Sequence, residues 1–335
     1  MKTIRTLQPI LFILFWLLAA ELVLEFRHYK KGFNTPIFGQ AQGDNLQPAT
    51  APQHGPTPEF PFRSHFVNTE DATRPTVWFA SASYAEHISF PVDSIFPTIA
   101  CTLANCTPLN ASRAGISIRQ NIDDLQQFGQ QFTPDFVILY QMSGDVLALQ
   151  KLDASIDTGV PSPTSEQTSI IETIRNKLAR FSSHIHLKEY LGGTIKLNGP
   201  LKASLSAHQI SEFEKLVNTF VDRAEALQAT PVLATFATMY SADNVHQMPY
   251  GIRTSFMRYG NKLSIEGWVN AISVLNDSLR KVAAQRNIPI VDLEPLMTGK
   301  TELFVDYVHF NKQGHQLIGR TLAQSLSLME RNDGI

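Results

Sequence analysis

The chain has 335 residues, 43% of them hydrophobic and 17% charged, with a formal charge of −2. That length and apolar content suffice for one large core or two modest ones. The near-neutral balance excludes the cationic field on which nucleic-acid binding rests, and acidic and basic residues are interspersed as on an ordinary solvated surface.

Ile10 to Ala20 form an unbroken apolar run, interrupted by Glu21 and resumed by Leu22-Val23-Leu24. Read as one helix from Leu7 to Phe26, it is about long enough to cross a bilayer. A signal peptide is the alternative, but cleavage after Ala20 would put Leu18 where a small residue is preferred, and a buried helix is the third reading. The expectation is an uncleaved anchor, residues 1–31, with both flanks basic and the body exported to the extracytoplasmic side. Residues 32–75 are rich in Pro, Gly, Gln and Asn and read as a linker or an arm laid over the body.

Thr76-Val77-Trp78-Phe79-Ala80 reads as a short buried strand, left through the small-residue turn Ser81-Ala82-Ser83-Tyr84. Helical spacing follows from Val92 to Leu103, then a strand from Cys106 to Asn110 and a helix from Ile118 to Phe128. Asp135 to Tyr140 is the clearest strand, apolar on both faces as in a covered sheet. It opens onto Gln141-Met142-Ser143-Gly144-Asp145. Residues 150–205 read as an insertion with a helix near Ile170 to Phe181. A helix from Ser206 to Gln228 precedes the strand Pro231 to Phe236. A long loop (Ala237 to Lys262), a helix from Ile265 to Arg286 and a strand from Ile288 to Leu293 complete the alternation. A helix to about Met329 closes the chain.

Alternating buried strands and helices imply a parallel sheet with helices on both faces. In such a sheet ligands bind beyond the carboxyl ends of the strands. Ser83, Ser112 and Gly144 all leave strands there, on one rim with the loop Phe304 to Gly314. In that loop Asp306 and His309 stand three residues apart, a spacing that suits a carboxylate orienting a general base. The two cysteines, Cys101 and Cys106, form either a local disulfide or two core thiols, and no second pair completes a zinc site.

Together these stretches resemble the SGNH (GDSL-type) hydrolase family over Thr76 to Met329. The first family block, a strand followed by Gly-Asp-Ser, is matched by Val77 to Ser83, with Ser83 at the nucleophile position and Ser81 for the glycine. The second, Asn-x-Gly-x-x-Gly, is matched by Asn110 to Gly115, with Ser112 where the first glycine lends an N–H to the oxyanion. In the third, Gly-x-Asn-Asp, Gly144 stands where the asparagine side chain would also hold the oxyanion. The last, Asp-x-x-His, is intact as Asp306 and His309.

The resemblance implies a three-layer α/β/α fold with a flavodoxin-like, five-stranded parallel sheet. It also implies a Ser83–His309–Asp306 relay without cofactor or metal, and backbone oxyanion donors at Ser83 and Ser112. The activity implied is that of a serine esterase or acyl transferase, with an acylated glycan as the expected substrate. A binding or assembly module is the alternative, because the third-block asparagine is absent. Ser81 is the alternative nucleophile, Asp145 a structural cap, Asp292 a strand-end acid, and His184 and His186 surface histidines. Tyr240, His246 and Arg253, in the long loop, are candidate substrate contacts at the rim.

Overall fold

The computed structural model describes residues 12, 15, 16, 19, 21–24, 26, 62, 73–158, 201–249, 252, 253, 256 and 262–333. The chain divides into two compact units: residues 1–46, 161–202 and 247–265 form one, and 47–160, 203–246 and 266–335 the other.

The larger unit holds a five-stranded parallel sheet in the order β2-β1-β3-β4-β5, the flavodoxin-like order with its switch point beside the first strand. Its strands are β1 (Thr76–Ala80), β2 (Thr107–Asn110), β3 (Phe136–Leu139), β4 (Thr230–Ala234) and β5 (Ile290–Val291). Every residue of β3 is buried, and β1 is buried from Val77 onward, as expected of strands covered on both faces. Asp135 steers the register at the entry to the sheet: its Oδ2 accepts the Thr76 N–H at 2.6 Å. β1 and β3 then run level, Ala80 beside Leu139, so the segments leaving them emerge together.

Between residues 73 and 333 the helices described along their length are α1 (Ser83–Glu86), α2 (Phe96–Ala104), α3 (Ile118–Phe132), α4 (Ser143–Thr158), α5 (Ala207–Ala226), α6 (Ile265–Arg286), α7 (Glu294–Met297) and α8 (Lys312–Asp333). α2 packs on α8, and α5 packs on α3 and α4. The periodic run from Val92 is broken: Val92–Ser94 form a 3₁₀ turn, and α2 starts afresh at Phe96-Pro97, where a proline is pre-organised for a first helical turn. Ser206 and Gln209 close α5 with a reciprocal box, the serine taking the Gln209 N–H at 3.3 Å and the glutamine the Ser206 N–H at 2.8 Å. Such caps contribute about 1 kcal/mol. β5 is shorter than its apolar run. α4 begins where the sequence shows only a strand exit, because its turns interleave Ser, Asp and Thr with the apolar residues.

Asn105 ends α2 in the left-handed conformation at φ 57°, and across it Cys101 and Cys106 are joined as a disulfide. In the arm, Phe62 is buried. Its ring meets Trp78 edge-on at 5.9 Å and Phe128 at 5.4 Å, with the Arg113 guanidinium 4.9 Å above it.

In the smaller unit, Lys202 pairs with Leu263 in a short parallel bridge, and Phe256 and Leu263 are fully buried. Among the described residues no helix is long and apolar enough to cross a membrane. The Leu7–Phe26 run is described only in part, and the helix expected at Ile170–Phe181 lies outside the described residues, as do His184 and His186.

Candidate active site

β1 delivers the chain to Ser83, the first residue of α1, at the carboxyl edge of the sheet. There its Oγ lies 2.7 Å from Nε2 of His309, and Nδ1 of His309 lies 2.8 Å from Oδ2 of Asp306. The three residues, drawn from the two ends of the sequence, form one continuous hydrogen-bonded line.

The local chain around Asp306 accounts for its rigidity. Oδ1 accepts the backbone N–H groups of Val308 at 2.9 Å and His309 at 2.8 Å, so the carboxylate nucleates the turn that presents the ring. The Val305 N–H closes the same turn onto the His309 carbonyl at 2.8 Å. Asn311 caps α8 behind it, taking the Gly314 N–H at 3.1 Å. A Cβ at Gly314 would overlap the Leu303 carbonyl oxygen, so glycine lets α8 seat against the turn before Asp306.

Proton positions follow from donor capacity. Burial alone would raise the Asp306 carboxyl, but the His309 ring and the two N–H donors outweigh it and hold the group below the usual carboxylate range. An ionised carboxylate only accepts, so Nδ1 of His309 carries the proton and Nε2 of the neutral ring accepts from the Ser83 hydroxyl. Burial disfavours the imidazolium, yet Asp306 more than offsets this and raises His309 above its ordinary value. The arrangement is that of a hydroxyl activated by a poised base.

Two further histidines back this line, and sequence reading did not single them out. Nδ1 of His87 lies 2.7 Å from Nε2 of His315, and the His87 ring centroid is 5.6 Å from that of His309. The Phe96 N–H donates to Nδ1 of His315 at 3.3 Å, so His315 holds its proton on Nε2 and gives it to His87. Burial, together with the neighbouring rings, pushes His315 down to about 2, and it stays neutral. His87 itself ends α1 at φ 28°, its N–H on the Ser83 carbonyl at 2.8 Å. A left-handed non-glycine residue at that position is strained backbone beside the site.

The segments leaving β2 and β3 depart from the expected oxyanion arrangement. Ser112 is fully buried. Its N–H is directed at Asn110 Oδ1 at 3.3 Å, and its hydroxyl at the Phe79 carbonyl at 3.4 Å. At Gly144 an added Cβ would overlap the Ile116 carbonyl oxygen and stand 3.0 Å from Nε2 of Gln141. That same amide donates to Ile116 O at 2.7 Å, and Gln141 Oε1 accepts the Tyr84 hydroxyl at 2.9 Å. By contrast, the Ser83 N–H, at the start of α1, meets no acceptor among the described residues.

Asp145 caps α3, accepting the Ile118 N–H at 2.9 Å. Its other oxygen finds no partner among the described residues, and burial pushes the carboxyl up to about 7. Ser81 is buried, its hydroxyl spent on the Tyr140 carbonyl at 2.5 Å, which leaves Ser83 as the hydroxyl beside the imidazole. Asp292 is held by Thr235 at 2.8 Å and by Arg280 at 2.7 Å, while His309 is served by Asp306. Of the loop candidates, Tyr240 is buried and takes the Thr238 hydroxyl on its carbonyl at 2.8 Å. His246 is exposed in a 3₁₀ turn, and Arg253 belongs to the smaller unit. The loop's start does reach the site's own turn, through the Met239 N–H on the Tyr307 carbonyl at 3.1 Å.

No family model matches this chain, and neither does any of the curated proteins compared with it. Solved structures are similar at low identity. A protein described as lipolytic, of the G-D-S-L family, from Desulfitobacterium hafniense DCB-2 is 13% identical, with 75% of this chain and 99% of that one covered at TM-score 0.45. A GDSL-like lipase from Bacteroides thetaiotaomicron VPI-5482 is 12% identical, covering 78% and 93% at TM-score 0.46. An acetylxylan esterase from Geobacillus stearothermophilus is 11% identical, covering 75% and 94% at TM-score 0.44.

Proposed function

We propose that the chain is a serine esterase or acyl transferase of SGNH type, tethered to a membrane with its body on the extracytoplasmic side. The observation that carries this reading is the 2.7 Å contact between Ser83 Oγ and His309 Nε2, with Asp306 in line behind the ring.

In the proposed reaction Ser83 Oγ attacks the carbonyl carbon of an ester, and His309 Nε2 takes the hydroxyl proton. Asp306 holds the ring in the Nδ1–H tautomer and stabilises the imidazolium that forms. As the tetrahedral intermediate collapses, His309 returns the proton to the departing alcohol and leaves the acyl group on Ser83. Water, or a second alcohol, then attacks that ester with the roles of His309 reversed. The Ser83 N–H faces the oxyanion from the start of α1. Ser112, given its bond to Asn110, contributes only if that contact loosens.

The exposed apolar residues at the N-terminus, Phe12, Phe15, Trp16, Val23 and Phe26, support the tether, since solvent exposure of so many large apolar side chains marks a membrane or protein contact. An O-acylated glycan of the cell envelope is the proposed substrate. The second reading, a binding or assembly module, is favoured by one observation: the Ile116 carbonyl occupies the space an asparagine at position 144 would need.

The test uses the full chain in detergent with p-nitrophenyl acetate and a fluorophosphonate probe, beside Ser83→Ala. Turnover and labelling that disappear in the variant are the expected result. Silence of both proteins removes the enzyme and leaves the module.

A further inference from the structure

The third-block asparagine has no direct replacement at its own position, and the structure narrows where a substitute donor can come from. Gln141, two residues before Ser143, is fully buried, and its amide is held among the Ile116 carbonyl, the Tyr84 hydroxyl and the Asp145 carboxyl. Its Nε2 is given to the Ile116 carbonyl at 2.7 Å and its Oε1 takes the Tyr84 proton at 2.9 Å. Gly144 carries no side chain, and the Ile116 carbonyl closes off the space beside it.

Ser143 remains. It is the first residue of α4, partly exposed, and it leaves β3 at the level where Ser83 leaves β1, since Ala80 and Leu139 are paired neighbours. Its hydroxyl lies 3.3 Å from the Tyr84 hydroxyl, and Tyr84 follows Ser83 directly. Because the Tyr84 proton is committed to Gln141, the Ser143 hydroxyl is the donor in that pair. A separation of 3.3 Å is well beyond the usual O–H···O length of about 2.7–2.8 Å, so the bond is weak and the rotor is cheap to redirect.

We infer that Ser143 is a catalytic residue, its hydroxyl turning from Tyr84 to the oxyanion of the tetrahedral intermediate and taking the part of the missing asparagine. This rests on the hydrolase reading above. In the resting protein the Tyr84–Gln141–Ile116 chain parks the hydroxyl. When negative charge develops on the substrate oxygen, a charge-assisted bond replaces the long neutral one. The gain appears only as the charge appears, so it acts on kcat rather than on substrate affinity.

The test compares Ser143→Ala, Ser143→Thr and Ser83→Ala in the full chain, with p-nitrophenyl acetate turnover, fluorophosphonate labelling rate and melting temperature as readouts. Ser143→Ala is expected to lose kcat on the order of 10²-fold with little change in KM, at an unchanged melting temperature. Ser143→Thr, which keeps a hydroxyl, is expected to recover most of it. An Ala variant within about threefold of wild-type kcat, or a Thr variant as slow as Ala, overturns the role of Ser143 while an inert Ser83→Ala leaves the hydrolase standing. A wild type inert to both ester and probe overturns the two together.

Discussion

The carbonyl oxygen of Ile116 fills the space into which a side chain at Gly144 would grow. Gly144 is therefore a packing requirement of the loop between β2 and α3, whose Ile116 carbonyl is also bound by Gln141 at 2.7 Å. The missing side chain at 144 and the loop's path are two sides of one packing arrangement.

Placing an asparagine at position 144 should accordingly fail. Gly144→Asn is expected to displace Ile116 and break its bond to Gln141, at a cost of roughly 1–3 kcal/mol for overpacking, with no gain in kcat. Urea unfolding and ester turnover on the same preparation measure both. An asparagine variant that is as stable as wild type and faster would show that the loop yields.

On the proposed reaction, the ionisation of His309 sets the pH dependence of activity. The neutral ring is the base, and Asp306 raises its pKa above the ordinary 6.5. Thus kcat/KM is expected to rise with pH through a midpoint above 6.5 and then level off. Asp306→Asn removes the carboxylate that supports the imidazolium while leaving the burial that opposes it, so the midpoint should move down. Its plateau should also fall on the order of 10³–10⁴-fold, because the ring loses its fixed tautomer. A midpoint unmoved by the substitution would separate Asp306 from the titration.

Asp145 should make stability fall with rising pH. Its carboxyl is raised from 3.8 to about 7 by burial, so between those values the folded chain holds a proton that the unfolded chain has released. Stability then declines across that window. Asp145→Asn keeps an acceptor for the Ile118 N–H and removes the charge. The variant is expected to exceed wild type by roughly 1–4 kcal/mol at about pH 8, with the difference closing toward acid. Denaturant titrations across that range would give a flat difference if Asp145 does not titrate in the fold.

The His87–His315 pair should be structural in its first effect. His315→Phe takes a hydrogen-bond partner from Nδ1 of His87 and from the Phe96 N–H, and a buried polar group that loses its partner costs about 1–3 kcal/mol. A melting temperature lowered accordingly is expected, with His309 titrating at a changed midpoint because its neighbour at 5.6 Å loses one hydrogen bond. An unshifted Tm would mean that both groups find other partners.

Much of this architecture is legible in the residues themselves. β1 reads directly from Thr76 to Ala80 because five successive β-forming or small apolar residues end in a serine turn. α6 reads from Ile265 to Arg286 because its apolar face is periodic. Asp306 and His309 are legible because their relation is local, three residues in one turn. Their meeting with Ser83 follows from parallel topology, which brings strand ends to a common rim. The histidine pair is not legible, since its partners stand 228 residues apart and meet only where the end of α1 comes against α8 in the fold. Nor does any side-chain pattern announce the path of the Ile116 carbonyl, because a backbone oxygen leaves no signature in composition. α4 escapes notice for a plainer reason: Ser143 and Gly144 look like a turn, and the residues after them scatter polar and apolar types around the helix.

On the proposed tether, Phe62 has a mechanical consequence. A pull reaching Phe62 would be taken up first at Trp78, Phe128 and the Arg113 guanidinium. Trp78 sits mid-strand in β1, which β2 and β3 grip from both sides, so the load spreads as shear across three strands. Ser83 lies downstream of that clamp, so on the proposed tether such a pull would meet the sheet before it reached the hydroxyl and its imidazole.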